Sequence, residues 1–193
     1  MNIDKTAEDY LAVANEVFNG HLDKVEQVSR LIVQSLQSGG KVLLCGNGGS
    51  AADAQHIAGE FINRFFKERR PYAAIALSTD TSVMTAIGND YDFSQVFEKQ
   101  VQALGRKGDI LWAISTSGNA ANILRAVDAA KKIGMSVLGM TGGVGGKLAP
   151  ACDHLFCIEC TKCTPRIQEG HQLLFHLICE RVEELLVELD QSA

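Results

Sequence analysis

Short apolar runs that alternate with helical stretches constrain the fold of this chain more than any other feature. The apolar runs lie at residues 41–45, 73–77, 109–115, 136–141 and 154–158. The helical stretches lie at residues 50–66, 81–88, 93–104, 119–133 and 166–189. Short apolar runs between helices are typical of strands buried on both faces of a parallel sheet. The pattern therefore predicts right-handed βαβ crossovers and an α/β fold, with a doubly wound parallel five-stranded sheet flanked by helices.

The first 40 residues follow a different pattern, because they have helical periodicity and no strand-like run. Apolar residues fall on one helical stripe over residues 10–18 and on another over residues 22–36. We therefore predict one domain over residues 1–193, in which helices in 1–40 extend an α/β core in 41–193.

Composition and charge limit the classes of function. A formal charge of −5 argues against nucleic acid as the main partner. No run of 18 apolar residues is present, so no membrane-spanning helix is predicted. The first residues lack a basic segment followed by an apolar stretch, and six cysteines in 193 residues are too sparse for a disulfide framework. We expect a cytoplasmic protein with no nucleic-acid or membrane partner.

A glycine-rich loop follows the first predicted strand. Residues 46–51 read Gly-Asn-Gly-Gly-Ser-Ala, which formally fits the dinucleotide-binding pattern. That site also requires an acidic residue about 20 positions further on, and the nearest candidate, Asp80, lies 34 positions beyond Gly46. The spacing disfavours NAD binding. The loop is then either a glycine turn without a ligand or the site of another ligand.

A hydroxyl-rich loop follows the third predicted strand. Residues 115–119 read Ser-Thr-Ser-Gly-Asn and open a helix. Three hydroxyls and the free amides of a helix N-terminus suit a phosphate monoester, whereas a helix cap needs only one hydroxyl. A second hydroxyl-bearing loop at residues 78–81 follows the second strand. Together the loops favour a sugar phosphate or a similar polyol as ligand.

His56 and Glu60 stand four residues apart on one predicted helix, so they share a face. Such a pair provides two metal ligands, a base with its orienting partner, or an ordinary surface pair. Its position near the glycine-rich loop favours chemistry. In the final predicted helix, the residues alone leave two interpretations of His176. It is either a local partner of Gln172, four residues earlier, or a core or interface histidine.

The motifs in combination resemble a known family. They are residues 45–50 (Cys-Gly-Asn-Gly-Gly-Ser), 88–90 (Gly-Asn-Asp) and 115–119, with His56-x-x-x-Glu60 and an Arg-Ile-Gln-Glu run at 166–169. Over nearly its whole length the chain resembles the sugar isomerase (SIS) domain family and, within it, the phosphoheptose isomerases. Ala120 departs from the family, whose isomerases usually have a serine there. A related non-catalytic branch regulates replication initiation and lacks the glutamate that this chain has at Glu60.

The resemblance implies an aldose–ketose isomerase that converts sedoheptulose 7-phosphate to D-glycero-D-manno-heptose 7-phosphate, the first step towards ADP-heptose for the lipopolysaccharide core. The alternative is a non-catalytic SIS regulator that senses a phosphosugar and binds a protein partner. The catalytic residues implied are Glu60 as base and His176 as acid. The Zn²⁺ ligands implied are His56, Glu60, Gln168 and His176. The substrate-binding residues implied are Asn47, Gly48, Gly49, Glu60, Arg64, Asn89, Asp90, Ser115, Thr116, Ser117 and Gln168.

The spacing of Gln168 and His176 bears on assembly. Eight residues of α-helix rise about 12 Å, too far for both side chains to reach one ion. Either the helix begins after Gln168, or the two residues serve sites in different subunits. The second option predicts a homo-oligomer with active sites at interfaces and with His176 donated by a neighbouring chain. The resemblance to a tetrameric family also implies a tetramer.

Two further features predict no site. Cys157, Cys160 and Cys163 partly match an iron–sulfur or zinc pattern, but no properly spaced fourth ligand follows. We interpret them as buried or loop thiols. The basic run at residues 67–70, before Pro71, is predicted to be a solvated helix end and turn.

Overall fold

The computed structural model describes residues 3–190 and contains all five predicted strands. The strands are β1 (Val42–Cys45), β2 (Ala74–Ala76), β3 (Ile110–Ile114), β4 (Ser136–Gly142) and β5 (His154–Ile158). The α-helices are α1 (Ile3–Gly20), α2 (Leu22–Gln37), α3 (Gly49–Ile62), α4 (Thr81–Asp90), α5 (Val96–Leu104), α6 (Ala121–Ile133) and α7 (Thr164–Asp190). Short 3₁₀ turns lie at Phe93–Gln95 and Ala149–Ala151.

All the strands run parallel, in the order β2-β1-β3-β4-β5. Leu43 of β1 lies opposite Ile75 of β2 on one side and Leu111 of β3 on the other. The chain leaves β1 towards β2 and later returns to β3, so the strand order reverses between β1 and β3. In sheets of this kind ligands bind outside the carboxyl ends of the strands at that reversal. The predicted α/β fold is confirmed.

Helices cover both faces of the sheet and form two apolar clusters. Alternate side chains of the strands point to opposite faces, as the pleat requires. Trp112 packs with residues of α1, α2, α3 and α7, whereas its neighbour Leu111 packs with residues of α4, α5 and α6. The helices α3 and α7 therefore share one layer, and α4 lies in the other.

The N-terminal helices pack onto the first of these layers, but α1 uses only part of its apolar stripe. Val13 and Val17 are buried, whereas Tyr10, Leu11 and Phe18 are about half exposed (47%, 60% and 49%). Part of the predicted stripe therefore remains uncovered within one chain. Within the chain, α1 contacts α7, α2 and β5.

In the segment between α3 and β2, Lys67 and Arg70 are exposed as predicted, but Arg69 is not. The helix ends at Ile62, not at residue 66, and the side chain of Arg69 is buried against Glu183 of α7. Its guanidinium also donates hydrogen bonds to the carbonyl oxygens of Glu60 and Phe61. The last carbonyls of a helix have no partner within the helix, so a guanidinium is a suitable cap.

The cysteines form no metal group in the part of the chain that the structure describes. Cys157 is buried in β5, and its thiol donates a hydrogen bond to the carbonyl of Gly143 (3.4 Å). Burial and the neighbouring Glu16 raise the pKa of the Cys160 thiol to about 11. Between residues 3 and 190, no helix has both the length and the apolar character needed to cross a bilayer.

Candidate active site

The candidate site lies along the contact between α3 and α7, which run side by side in the same direction. The amide of Gln168 lies against Gly49, where an added Cβ would collide with it. One turn further, Gln172 donates a 3.4 Å hydrogen bond to Asp53. The next contact joins His176 to His56. The pairing of the helices therefore brings residues more than 100 positions apart in sequence into one row.

Three side chains converge at the far end of this row. The His56 Nε2 atom lies 3.0 Å from Glu60 Oε1 and 3.4 Å from His176 Nε2. One nitrogen or oxygen from each residue lies within 4.8 Å of the others. Two imidazoles and a carboxylate form the donor set of many catalytic zinc sites, which keep a further position open for water or substrate. These residues therefore fit a zinc ion.

His176 belongs to the same chain as its partners, so the prediction that a neighbouring subunit donates it is wrong. The helix α7 begins at Thr164, which also excludes a helix start after Gln168. The expected separation of Gln168 and His176 is real, but Gln168 is the residue that lies away from the cluster. It is two turns along α7 from His176, beside Gly49.

The electrostatics of the cluster favour a neutral His176. Burial lowers the pKa of His176, and the nearby His56 lowers it further, against the opposing effect of Glu60. A neutral imidazole nitrogen is the form that binds a metal ion. The cluster is also accessible, since about half of the His56 side chain is exposed to solvent.

Asp53 is a buried carboxyl group in this row that sequence analysis did not identify. Burial raises its pKa, while Gln172 and His56 act in the opposite direction. Its Oδ2 atom has no hydrogen-bond partner among residues 3–190. The sequence signal that could have identified Asp53 is its position three residues before His56, on the same face of α3.

The glycine-rich loop after β1 is tied to the hydroxyl-rich loop after β3. Asn47 and Asn122 exchange two amide hydrogen bonds of 2.9 and 2.8 Å. This pair joins the loop before α3 to the first turn of α6. Since β1 and β3 are neighbours, Asn47, Gly48 and Gly49 lie beside residues 115–119 at the carboxyl edge of the sheet.

The hydroxyl-rich loop has a defined shape. Ser115 is buried, and Ser117 is exposed and accepts a 3.2 Å hydrogen bond from the Asn119 amide through its Oγ. Gly118 has a φ of +64°, and a Cβ there would collide with the Gly145 carbonyl. Ala120 is the N-cap of α6 and provides no side-chain cap. The loop therefore presents hydroxyls and a helix N-terminus, the features that suit a phosphate.

The other hydroxyl-bearing loop has local structural roles. The Thr79 hydroxyl donates a 2.9 Å hydrogen bond to the Ala76 carbonyl. Asp80 caps α4 by accepting a 3.0 Å hydrogen bond from the Val83 amide. Two of the four polar side chains in residues 78–81 therefore have local structural roles.

Two of the predicted substrate-binding residues lie apart from the cluster within one chain. Asn89 and Asp90 are exposed at the end of α4, in the opposite helical layer, where their side chains share a 2.8 Å hydrogen bond. Arg64 lies beyond the end of α3, and its Nε is 3.9 Å from the exposed carboxylate of Glu68.

The similarity to known proteins is extensive. A family model described as "SIS domain" matches residues 7–142. The phosphoheptose isomerase of Nitratidesulfovibrio vulgaris (strain Hildenborough) is 54% identical over 171 residues, which cover 89% of this chain and 82% of that protein. The phosphoheptose isomerase of Thermodesulfovibrio yellowstonii is 47% identical, over 97% of this chain and 92% of that protein.

A solved structure agrees with these matches. The phosphoheptose isomerase of Neisseria gonorrhoeae superposes with a TM-score of 0.88 at 44% identity, covering 94% of this chain and 97% of that one. Identity at this level over almost the whole length indicates common ancestry as well as a common fold. The chain belongs to the SIS domain family and, within it, to the phosphoheptose isomerases.

Proposed function

We propose that this protein is an aldose–ketose isomerase that converts sedoheptulose 7-phosphate to D-glycero-D-manno-heptose 7-phosphate. The observation that carries the proposal is the convergence of His56, Glu60 and His176 in one accessible cluster. Family membership supports the substrate, since the relatives are named phosphoheptose isomerases. The presence of Glu60 favours an enzyme over a non-catalytic regulator.

Glu60 is the proposed base. Its carboxylate takes the proton from C1 of the open-chain ketose, and the electron pair of that bond forms the C1–C2 double bond of an enediolate. The same carboxyl group returns the proton to C2. His176 moves the accompanying proton between O1 and O2. General acid–base groups contribute about 10²–10⁴-fold each when they are held within reach of the reacting atoms.

The proposed metal is Zn²⁺, held by His56, Glu60 and His176. When bound, zinc supplies a positive charge that polarises the sugar carbonyl and stabilises negative charge on oxygen. The proposed fourth ligand, Gln168, comes from a neighbouring chain, because about 12 Å of α7 separates it from His176 within one chain. Glu60 is then both ligand and base, and ligation lowers the basicity of a carboxylate. We propose that Glu60 moves off the metal when the substrate binds.

The substrate is proposed to lie along the carboxyl edge of the sheet. Ser115, Thr116 and Ser117 hold the phosphate, which fixes the far end of the sugar. The sugar chain then extends across residues 47–49 towards the row of side chains between α3 and α7. Gln168, at the start of this row, contacts the sugar hydroxyls.

We propose a homo-oligomer, most simply a tetramer. Asn89 and Asp90 lie in the helical layer opposite the cluster, so they contact a substrate only if the site belongs to a neighbouring chain. Arg64 is assigned as a substrate contact because it follows Glu60 by only four residues. The half-exposed residues Tyr10 and Phe18 of α1 provide apolar surface for association.

We also propose that the protein acts in the cytoplasm and that its product supplies heptose for the lipopolysaccharide core. The test is to incubate the purified protein with sedoheptulose 7-phosphate, with and without Zn²⁺, and to assay for an aldoheptose phosphate. Turnover that zinc increases supports the proposal. Binding of sedoheptulose 7-phosphate without turnover under either condition would indicate the regulator instead.

A further inference from the structure

A buried carboxylate outside the proposed site holds the segment that follows α3. Glu183 of α7 is only 2% exposed. Its carboxylate accepts hydrogen bonds from the backbone amides of Phe65, Phe66 and Lys67, at 2.8, 2.7 and 2.8 Å. Three successive backbone N–H groups form an anion-binding concavity. Here a side chain of the protein fills that concavity, so α7 is joined to the backbone just beyond α3.

Arg69 completes the connection between the two helices. Its Nε lies 3.2 Å from Glu183 Oε1, and its terminal nitrogens donate to the carbonyls of Glu60 (2.6 Å) and Phe61 (2.9 Å). The planar guanidinium fixes the directions of these bonds, which an ammonium group does not. One side chain therefore connects the backbone of Glu60 to α7.

Both groups are charged under ordinary conditions. Burial by itself raises the pKa of Glu183, but the three amides and Arg69 outweigh it and leave that pKa below its usual range. The guanidinium of Arg69 is protonated at any accessible pH. The connection therefore consists of a buried ion pair whose further hydrogen bonds all end on backbone groups.

The contact between Glu183 and Arg69 lies on the C-terminal side of His176 in α7. Glu183 follows His176 by seven residues, or about two helical turns, which places both side chains on the same face of α7. Arg69 reaches the carbonyl of Glu60, the residue whose carboxylate lies beside His56. The pair thus links the turn that carries Glu60 to the helix that carries His176.

We infer that Arg69 and Glu183 are positioning residues that set the spacing between the Glu60 carboxylate and the His176 imidazole. This inference rests on the proposed function of that cluster. Neither residue touches the substrate. Loss of either one lets the end of α3 shift relative to α7, and displacements of about 1 Å at a reacting group cost up to 10²-fold in rate. The phosphate loop is held by other contacts, so substrate binding is unaffected.

The experiment compares Glu183→Gln with Glu26→Gln. Glu26 pairs with Arg181 of α7 on the surface (2.6 Å), so its change to glutamine removes a similar ion pair from the same helix without touching α3. We expect Glu183→Gln to lower kcat at least about tenfold and to leave KM within about twofold. We also expect its Zn²⁺ affinity, measured by competition with a chelating dye, to fall about 10–100-fold, the range for residues that orient metal ligands. Glu26→Gln changes neither quantity.

A purely structural role predicts a different result. In that case Glu183→Gln lowers the melting temperature, but at a temperature where it is folded its kcat and Zn²⁺ affinity equal those of the unmodified protein, which would overturn the inference. Arg69→Lys keeps the positive charge but loses the planar guanidinium and its directed hydrogen bonds. Its kcat and Zn²⁺ affinity give the same test as those of Glu183→Gln, with less risk to folding. If the unmodified protein shows no turnover, the isomerase proposal fails, while the Zn²⁺ affinities still test the positioning.

Discussion

The Nε2 atoms of His56 and His176 lie 3.4 Å apart, although 120 positions separate the two residues in the chain. Two imidazolium ions at that distance would repel each other, and this repulsion adds to burial in lowering the pKa of His176. The neutral imidazole of His176 is the form that binds a metal ion. Glu60 lies beside it and provides the negative charge that a divalent ion requires.

Glu60→Gln tests the proposed base. The amide keeps the size and most hydrogen bonding of the carboxyl group but does not accept a proton from carbon. We expect a rate loss of at least about 10²-fold, with little change in KM for sedoheptulose 7-phosphate. The matched control is Glu68→Gln, since Glu68 is almost fully exposed and pairs only loosely with Arg64. Near-normal turnover of Glu60→Gln would show that the base is another group.

Zinc should stabilise the fold through the cluster. A ligand that binds only the folded state at about 100 times its Kd adds about 2.7 kcal/mol to the free energy of unfolding. We therefore expect Zn²⁺ to raise the melting temperature of the metal-free protein and a chelator to reverse the change. His56→Gln should lose this response, whereas His154→Gln, at the start of β5, should keep it. An unchanged response in His56→Gln would remove His56 from the ligand set.

The hydroxyl-rich loop should determine affinity for the phosphate. We expect Ser117→Ala to weaken binding of the sugar phosphate by roughly 0.5–1.5 kcal/mol, the value of one neutral hydrogen bond. Changing Ser115 and Thr116 as well should weaken it further, with kcat less affected than KM. Ser82→Ala, on exposed α4, is the control. Unaltered affinity in the triple variant would exclude this loop as the phosphate site.

His171 should make stability depend on pH. Burial lowers its pKa to about 4, although its hydrogen bond to the Thr141 carbonyl opposes the shift. The unfolded chain, with an ordinary histidine pKa of about 6.5, then binds more protons than the folded chain between these two values. The contribution of His171 to the free energy of unfolding is complete above about pH 6.5. It falls by roughly 3 kcal/mol as the pH drops to 4.

Urea unfolding at several pH values measures this effect. We expect His171→Gln, which keeps a donor for the Thr141 carbonyl, to show a smaller loss of stability between pH 6.5 and 4 than the unmodified protein. The curve of His154→Gln serves as the reference for removal of an unrelated histidine. Identical slopes for His171→Gln and the unmodified protein would show that His171 is not the group responsible.

Hybrid oligomers test how the active site is shared. Glu60 and His176 lie in one cluster of the same chain, so a mixture of Glu60→Gln and His176→Ala should stay inactive after subunit exchange. If Asp90 reaches a neighbouring site, a mixture of Glu60→Gln and Asp90→Asn should regain activity. One chain then provides the intact cluster and the other provides the intact Asp90. Recovery in the first mixture, or none in the second after proven exchange, would contradict this arrangement.

The strands were predictable because their apolar character is local. The run at residues 109–115 contains β3, and every residue of β3 is buried. The pairing of α3 with α7 was not predictable, since no local signal specifies which helices share a layer. For that reason the geometry of one helix gave the correct distance between Gln168 and His176 but the wrong subunit for His176.

The burial of charged side chains was the other feature that could not be predicted from the sequence. Arg69 stands among basic and aromatic residues that are typical of a surface turn, and its partner Glu183 lies 114 positions away. Neither charge indicates burial by itself, because only the pair, together with the backbone groups around it, makes burial favourable. Asp53 was missed for a related reason, since its burial depends on Gln172 of α7.

The division of the cluster between α3 and α7 has a consequence for biosynthesis. All five strands are complete in the chain before α7 begins. A ribosome releases the chain from its N-terminus, so a nascent polypeptide that already contains His56 and Glu60 lacks their third partner for more than 100 residues of further translation. The cluster is therefore complete only after synthesis has passed residue 176, when the segments of all five strands have already been made.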